Sequence, residues 1–149
     1  MIGSHDQAID DVAIKVIQDD SSLDGKIVFI GKIDDKALLN EYYKKAAIYA
    51  LTSRRESFGI SLLEALHQAN FPIVTDCCDA FYDMLDEGKI GCIVPNNDIV
   101  KYSNALISAM DNYSHTLLGG EKSKNYVDQR FDYKIIAQDL NDYLKNTEI

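Results

Sequence analysis

The sequence is short of basic residues, cysteine, histidine and long apolar runs. Lys and Arg number 15 against 24 Asp and Glu, a net charge of -9. Nucleic-acid binders gain much of their affinity by neutralising phosphates with a basic surface. The acidic balance therefore argues against nucleic acid as a partner, and against docking on anionic lipid through this chain. The longest uninterrupted apolar run, Ala46 to Leu51, has six residues, against the ~20 needed to span a bilayer. Residues 1–5 lack the basic start and apolar stretch of a signal peptide. The three cysteines (Cys77, Cys78, Cys92) are odd in number, include an adjacent pair and show no C-x-x-C spacing. A disulfide framework is not expected, and a cytoplasmic location fits best. The histidines (His5, His67, His115) are scattered without metal-ligand spacing, so no metal site is expected.

What is present is ordinary globular composition: 46% hydrophobic and 26% charged residues over 149 positions. That excludes a disordered tail, a collagen-like repeat and a coiled coil. The length predicts one domain over 1–149, able to bury roughly 70% of its unfolded surface.

Apolar periodicity predicts strands and helices in alternation. A helix over about 6–19 carries Ile9, Val12 and Val16 on one stripe, and Asp20-Ser21-Ser22 breaks it. A strand is expected over Lys26 to Ile30, ending at Gly31, then a helix from Asp34-Asp35 to about Ala46 with Leu38, Leu39 and Tyr42 facing inward. Further strands are expected at Ala47–Leu51, Pro72–Thr75 and Cys92–Val94, with helices over Ile60–Ala69 and about 80–86. After Pro95-Asn96-Asn97 the pattern is helical: about 98–112, then, past a break at Gly119-Gly120, 121–128 and 132–146. Met1-Ile2-Gly3 reads as the tail of a strand. Short strands without polar alternation point to burial on both faces of a parallel sheet, as in a Rossmann-like, doubly wound α/β domain. Such sheets bind ligands beyond the carboxyl ends of their strands.

The segment leaving the strand at Leu51 reads Thr52-Ser53-Arg54-Arg55-Glu56-Ser57-Phe58-Gly59-Ile60-Ser61-Leu62-Leu63-Glu64-Ala65. Glu56 falls in the loop and Glu64 in the first turns of the next helix. Gly59 permits close backbone approach. Free N–H groups at the helix start can hold a diphosphate, and two flanking carboxylates can accept hydrogen bonds from vicinal hydroxyls. Together these suit a nucleotide sugar. An equally simple account makes Ser61-Leu62-Leu63-Glu64 a capping box, with Glu64 satisfying a backbone N–H and Glu56 a solvated loop residue. Arg54 and Arg55 are expected to be solvated. His67, about one helical turn past Glu64, fits either the site or a polar helix face. The tyrosines, including Tyr42, Tyr43 and Tyr49, are expected to pack in the interior with their hydroxyls at the surface.

These residues resemble the C-terminal half of a family 4 retaining glycosyltransferase, an enzyme of two Rossmann-like domains in the GT-B architecture. Ser53, Glu56, Phe58-Gly59 and Glu64-Ala65 match the S-x-x-E-x-F-G-x-x-x-x-E-A signature. Val28 to Gly31, Phe71 to Thr75, Gly91 to Val94 and Phe131-Asp132-Tyr133 resemble the family's further segments in order. The resemblance implies that Glu64 binds the nucleotide ribose and that Glu56, the catalytic candidate, holds donor-sugar hydroxyls near the reacting carbon. It implies donor contacts from Ser57, Phe58, Gly59, Ile60 and Ser61, and a base site at Gly31, Lys32 and Ile33. It further implies transfer with retention of configuration, no cofactor or metal beyond the nucleotide-diphosphate sugar itself, and an acceptor site on a missing N-terminal domain.

Three departures accompany the match. The family's first strand-helix unit, which carries a basic diphosphate clamp, has no counterpart here. Asp76-Cys77-Cys78-Asp79 stands where relatives have small residues, and acids there would repel phosphate unless turned away. Asn70 replaces the glycine that usually ends the helix, a position where Asn tolerates the left-handed conformation. The competing reading is a degenerate, non-catalytic module serving assembly or regulation. A receiver-like signalling domain is a poor match, because the strand ends read Gly31, Leu51 and Thr75-Asp76.

Overall fold

A computed structural model describes Ile2 and residues 7–146, with only the backbone of residues 7–10 and 13. The chain divides into two compact units, 1–39 and 40–149.

In the first unit, helix α1 (Gln7–Asp19) ends where Asp20 accepts a 2.9 Å hydrogen bond from the Ser22 N–H, turning the chain into a 3-10 helix over Ser21–Leu23. Val12 and Val16 of the expected stripe lie on exposed positions of α1, and Ile9's side chain lies outside the described residues. The strand expected over Lys26–Ile30 is not formed. Among the described residues an isolated parallel bridge joins Ile2 to Gly31, just past the expected strand. Met1 and Gly3, the rest of the expected strand tail, lie outside the described residues. Helix α2 (Lys36–Lys45) starts from Asp35, whose Oδ1 accepts from the N–H groups of Ala37 and Leu38 at 2.8 and 3.2 Å. Leu38 does not face inward as expected but is exposed, while Leu39 and Tyr42 are half-buried.

The second unit holds a three-stranded parallel sheet in the order β1 (Ile48–Leu51), β2 (Phe71–Thr75), β3 (Cys92–Val94). Ile48 pairs with Phe71 and Ile73 with Cys92. Only central β2 shows the expected double burial, with Pro72 to Thr75 all buried. The flanking strands are less covered, and Ala50 of β1 is exposed. Alternate β2 residues face opposite ways. Val74 packs with Leu62 and Leu66 of helix α3 (Ile60–His67), Phe81 and Met84 of α4 (Ala80–Met84), and Val127 of α6 (Tyr113–Arg130). Ile73 packs with Val94 and with Tyr102 and Ala109 of α5 (Ile99–Asp111). Helices therefore cover both faces of a parallel sheet, as the fold class requires. Tyr102 donates a 2.9 Å hydrogen bond to the Ile73 carbonyl, and burial pushes its phenol up to about 12. Helix α7 (Tyr133–Asn146) closes the description.

Two expectations about helix punctuation fail. Helix α6 runs unbroken through Gly119-Gly120. These glycines serve proximity: a Cβ on Gly120 would stand 2.0 Å from the Ala69 carbonyl oxygen, and one on Gly119 2.6 Å from the Phe71 ring. At the end of α3 the left-handed residue is Ala69 (φ 60°), not Asn70. Asn70 is instead fully buried, and its Nδ2 donates to the carbonyls of Tyr43 (2.8 Å) and Ala46 (2.5 Å), capping the last turn of α2. Its Oδ1 has no hydrogen-bond partner among the described residues.

Candidate functional site

The loops leaving all three strands meet at the carboxyl end of the sheet. Thr75, the last residue of β2, donates its hydroxyl to the Ser53 carbonyl at 2.5 Å. Ser53 in turn donates its own hydroxyl to Glu56 Oε1 at 2.7 Å. From beyond β3, Asn96 donates Nδ2 to the Arg54 carbonyl at 3.1 Å. These bonds surround a cleft of about 520 Å³ lined by Glu56, Ser57, Arg54, Asp76, Cys77 and Asp79 among others. A second hollow of about 300 Å³, between the same loops and α5, is lined by Thr52, Arg54, Thr75, Asn96 and Tyr102 among others.

Helix α3 enters from Gly59, which is buried at φ 88°, ψ 50°. Its missing Cβ leaves room for Phe81, whose Cε1 would stand 2.4 Å from one. Gly59 caps the helix with no side-chain hydrogen bond, so the capping-box account of Ser61 and Glu64 does not hold. Both side chains instead accept from tyrosines: Ser61 Oγ from the Tyr49 hydroxyl at 2.7 Å, and Glu64 Oε2 from the Tyr43 hydroxyl at 3.4 Å. Burial, then the charge of neighbouring Tyr49 and Glu64, pushes the Tyr43 phenol well above its usual range. Tyr49 is raised chiefly by burial, partly offset by its bond to Ser61, and both Glu56 and Glu64 raise it further. The two carboxylates thus act on one phenol. Burial is also the main cause that raises the Cys77 thiol, with Glu56 adding to it.

The expected site residues fall into three places. Glu56 and Ser57 line the 520 Å³ cleft. Ser61 and Glu64 are half-buried in the tyrosine network, and Glu64 is not among the residues lining that cleft. Between them Gly59 is buried, whereas Phe58 and Ile60 are exposed. Gly31, Lys32 and Ile33 belong to the first unit, where Gly31 bridges Ile2 at φ 78° and Lys32 pairs with Asp34.

The acids flagged at 76 and 79 are not turned away, for both line the cleft, and Asp76 accepts from the Tyr82 hydroxyl at 3.0 Å. Arg54 is exposed as expected, yet it borders both hollows. His67 serves the helix face: its Nδ1 lies 2.6 Å from Asp128, which also pairs with Lys124 at 2.5 Å. Partial burial pushes the Asp128 carboxyl up, but Lys124 and His67 outweigh it and hold the group below its ordinary value. Among the described residues no three His, Cys, Asp or Glu side chains are placed to hold a metal ion, and no helix is long and apolar enough to cross a membrane. Sequence reasoning missed Thr75 and Asn96. The available signal was their place at strand ends, where a polar side chain in or beside an apolar run has loop carbonyls within reach.

Fold and cleft together define a Rossmann-like domain with its ligand face at the carboxyl ends of parallel strands. The chain belongs to the group 1 glycosyl transferases, whose family profile matches residues 13–131. It is 29% identical over 118 residues to the phosphatidyl-myo-inositol mannosyltransferase of Mycobacterium leprae (strain TN), covering 76% of this chain and 30% of that protein. The fold is shared with the C-terminal domain of a group 1 glycosyl transferase (LpcC) from Francisella tularensis: TM-score 0.74, 20% identity, 86% of this chain and 65% of that one. It is also shared with Anabaena HepE in complex with UDP: TM-score 0.73, 19% identity, 98% of this chain and 40% of that one. The chain spans less than a third of the length of the curated relatives it matches.

Proposed function

We propose that this chain is the donor-binding domain of a glycosyltransferase that moves a sugar from a nucleotide-diphosphate sugar to an acceptor with retention of configuration. The acceptor site belongs to an N-terminal domain of the intact enzyme, and the setting is the cytoplasm. The observation that carries the reading is Glu56, held by Ser53 at the wall of a 520 Å³ cleft beyond the strand ends. Family membership and a UDP complex in a protein of the same fold support it.

In this reading Glu56 accepts hydrogen bonds from donor-sugar hydroxyls next to the carbon that transfers. The N–H groups of Gly59, Ile60 and Ser61 stand at the start of α3, where a helix leaves its first donors unpaired. They meet charge as it develops on the departing diphosphate, which lowers the barrier because donors fixed in place need no reorganisation. Ser57 and Phe58 flank the sugar and Glu64 accepts from the ribose; in the first unit, Gly31, Lys32 and Ile33 are the candidates for the base.

The test is a titration of the 149-residue chain with uridine and guanosine diphosphates, followed by amide chemical shifts. Shifts concentrated over residues 56–64 are expected. Glu64→Gln should weaken nucleotide binding by about 10- to 100-fold, the worth of one hydrogen bond to a charged acceptor. Glu56→Gln should leave nucleotide affinity within about twofold, because its contact lies at the sugar and one hydrogen bond is worth more than that. Shifts confined elsewhere, or none, would overturn the reading in favour of a non-catalytic module.

A further inference from the structure

Glu64 does not stand free on its helix. Two tyrosines from other elements each hand a hydroxyl to α3, Tyr49 to Ser61 and Tyr43 to Glu64. Ser61 and Glu64 are three residues apart and so share one helix face. The rings of Tyr43 and Tyr49 lean together, 6.1 Å between centroids and tilted by 56°. Tyr43 is also held by its backbone: fully buried Asn70 donates to its carbonyl at 2.8 Å. Anchored through ring and main chain, the Tyr43 hydroxyl is a fixed donor. Burial keeps it protonated across the physiological range.

We propose that Tyr43 is a positioning residue that aims the Glu64 carboxylate at the nucleotide ribose. It engages Oε2, while Oε1 has no partner among the described residues. The bond is 3.4 Å long, at the outer end of hydrogen-bond range, so it guides the carboxylate. A carboxylate pinned at one oxygen has fewer orientations to lose when its other oxygen meets a ribose hydroxyl. The inference rests on the assignment of Glu64 to the ribose.

The experiment measures affinity of the 149-residue chain for uridine and guanosine diphosphates, each against its 2′,3′-dideoxy counterpart, in the parent chain and in Glu64→Gln, Tyr43→Phe and Tyr49→Phe. The parent should prefer the ribose form by about tenfold, a single well-placed hydrogen bond. Glu64→Gln should bring that preference close to one. Tyr43→Phe should reduce it to about threefold while the dideoxy affinity holds, because only the aim of Glu64 is lost. Tyr49→Phe, which frees Ser61 and not Glu64, should weaken both forms by the same factor. If Tyr43→Phe weakens both forms equally, or neither, Tyr43 only ties α2 to α3 and the inference fails while the ribose assignment stands. If Glu64→Gln keeps the parental preference, or the parent shows none, the ribose assignment fails and the inference falls with it. Circular dichroism melting of each variant shows which losses come from unfolding.

Discussion

Gly59 and Gly120 look alike in the sequence, each an apparent interruption near a helix, and they do opposite things. At the entrance to α3 the chain takes a left-handed turn, and Gly59 is needed for its backbone angles as well as for the ring of Phe81. In the middle of α6 the helix is regular, and Gly120 is needed only because the Ala69 carbonyl lies against it. What presses on the first is a side chain that can be trimmed. What presses on the second is main chain. The comparison teaches that a glycine's role is set by what it faces, which composition alone does not reveal.

The largest effect is expected at Gly120. An added methyl group 2.0 Å from a carbonyl oxygen has no flexible neighbour to displace, so Gly120→Ala should lose about 3 kcal/mol or more in urea denaturation. A loss under about 1 kcal/mol would mean α6 can slide away from the loop before β2, and the contrast would collapse. Gly59→Ala should cost about 2 kcal/mol from backbone strain and overlap with Phe81 together. Here the contact is a side chain, so a double-mutant cycle with Phe81→Leu should recover about 1 kcal/mol, and strict additivity would show that strain alone is at work. The smallest effect is a gain. Ala69 occupies the left-handed region at φ 60°, so Ala69→Gly should raise stability by about 0.5–1 kcal/mol in the same assay. A neutral or negative result would put the Ala69 turn at no cost.

The periodic elements were legible because their burial is decided locally. Cys92–Val94 forms where expected, and β2 gains only Phe71 at its start. Lys26 to Ile30 reads as apolar in the same way, yet it takes no strand conformation among the described residues. Asn70 stands at the expected helix junction but ties down a different helix from the one it follows. Its side chain reaches 27 residues back to Tyr43, a separation invisible to helix-end rules. At the site, the E-x(7)-E spacing pointed to Glu56 and Glu64. Ser53, the partner of Glu56, lies three residues away and was within local reach, whereas Tyr43, the partner of Glu64, and the adjacent Tyr49–Ser61 bond join segments distant in sequence and could be found only in the folded chain.

The link from Thr75 through Ser53 to Glu56 carries a consequence for how this domain tolerates change. Thr75 has the shape of valine, and the hydrophobic interior would accept either. Only the hydroxyl steadies the Ser53 carbonyl, and only a steady Ser53 holds Glu56 at its station. Drift in the interior that leaves folding untouched would therefore reach the acid as slack, passed along two hydrogen bonds.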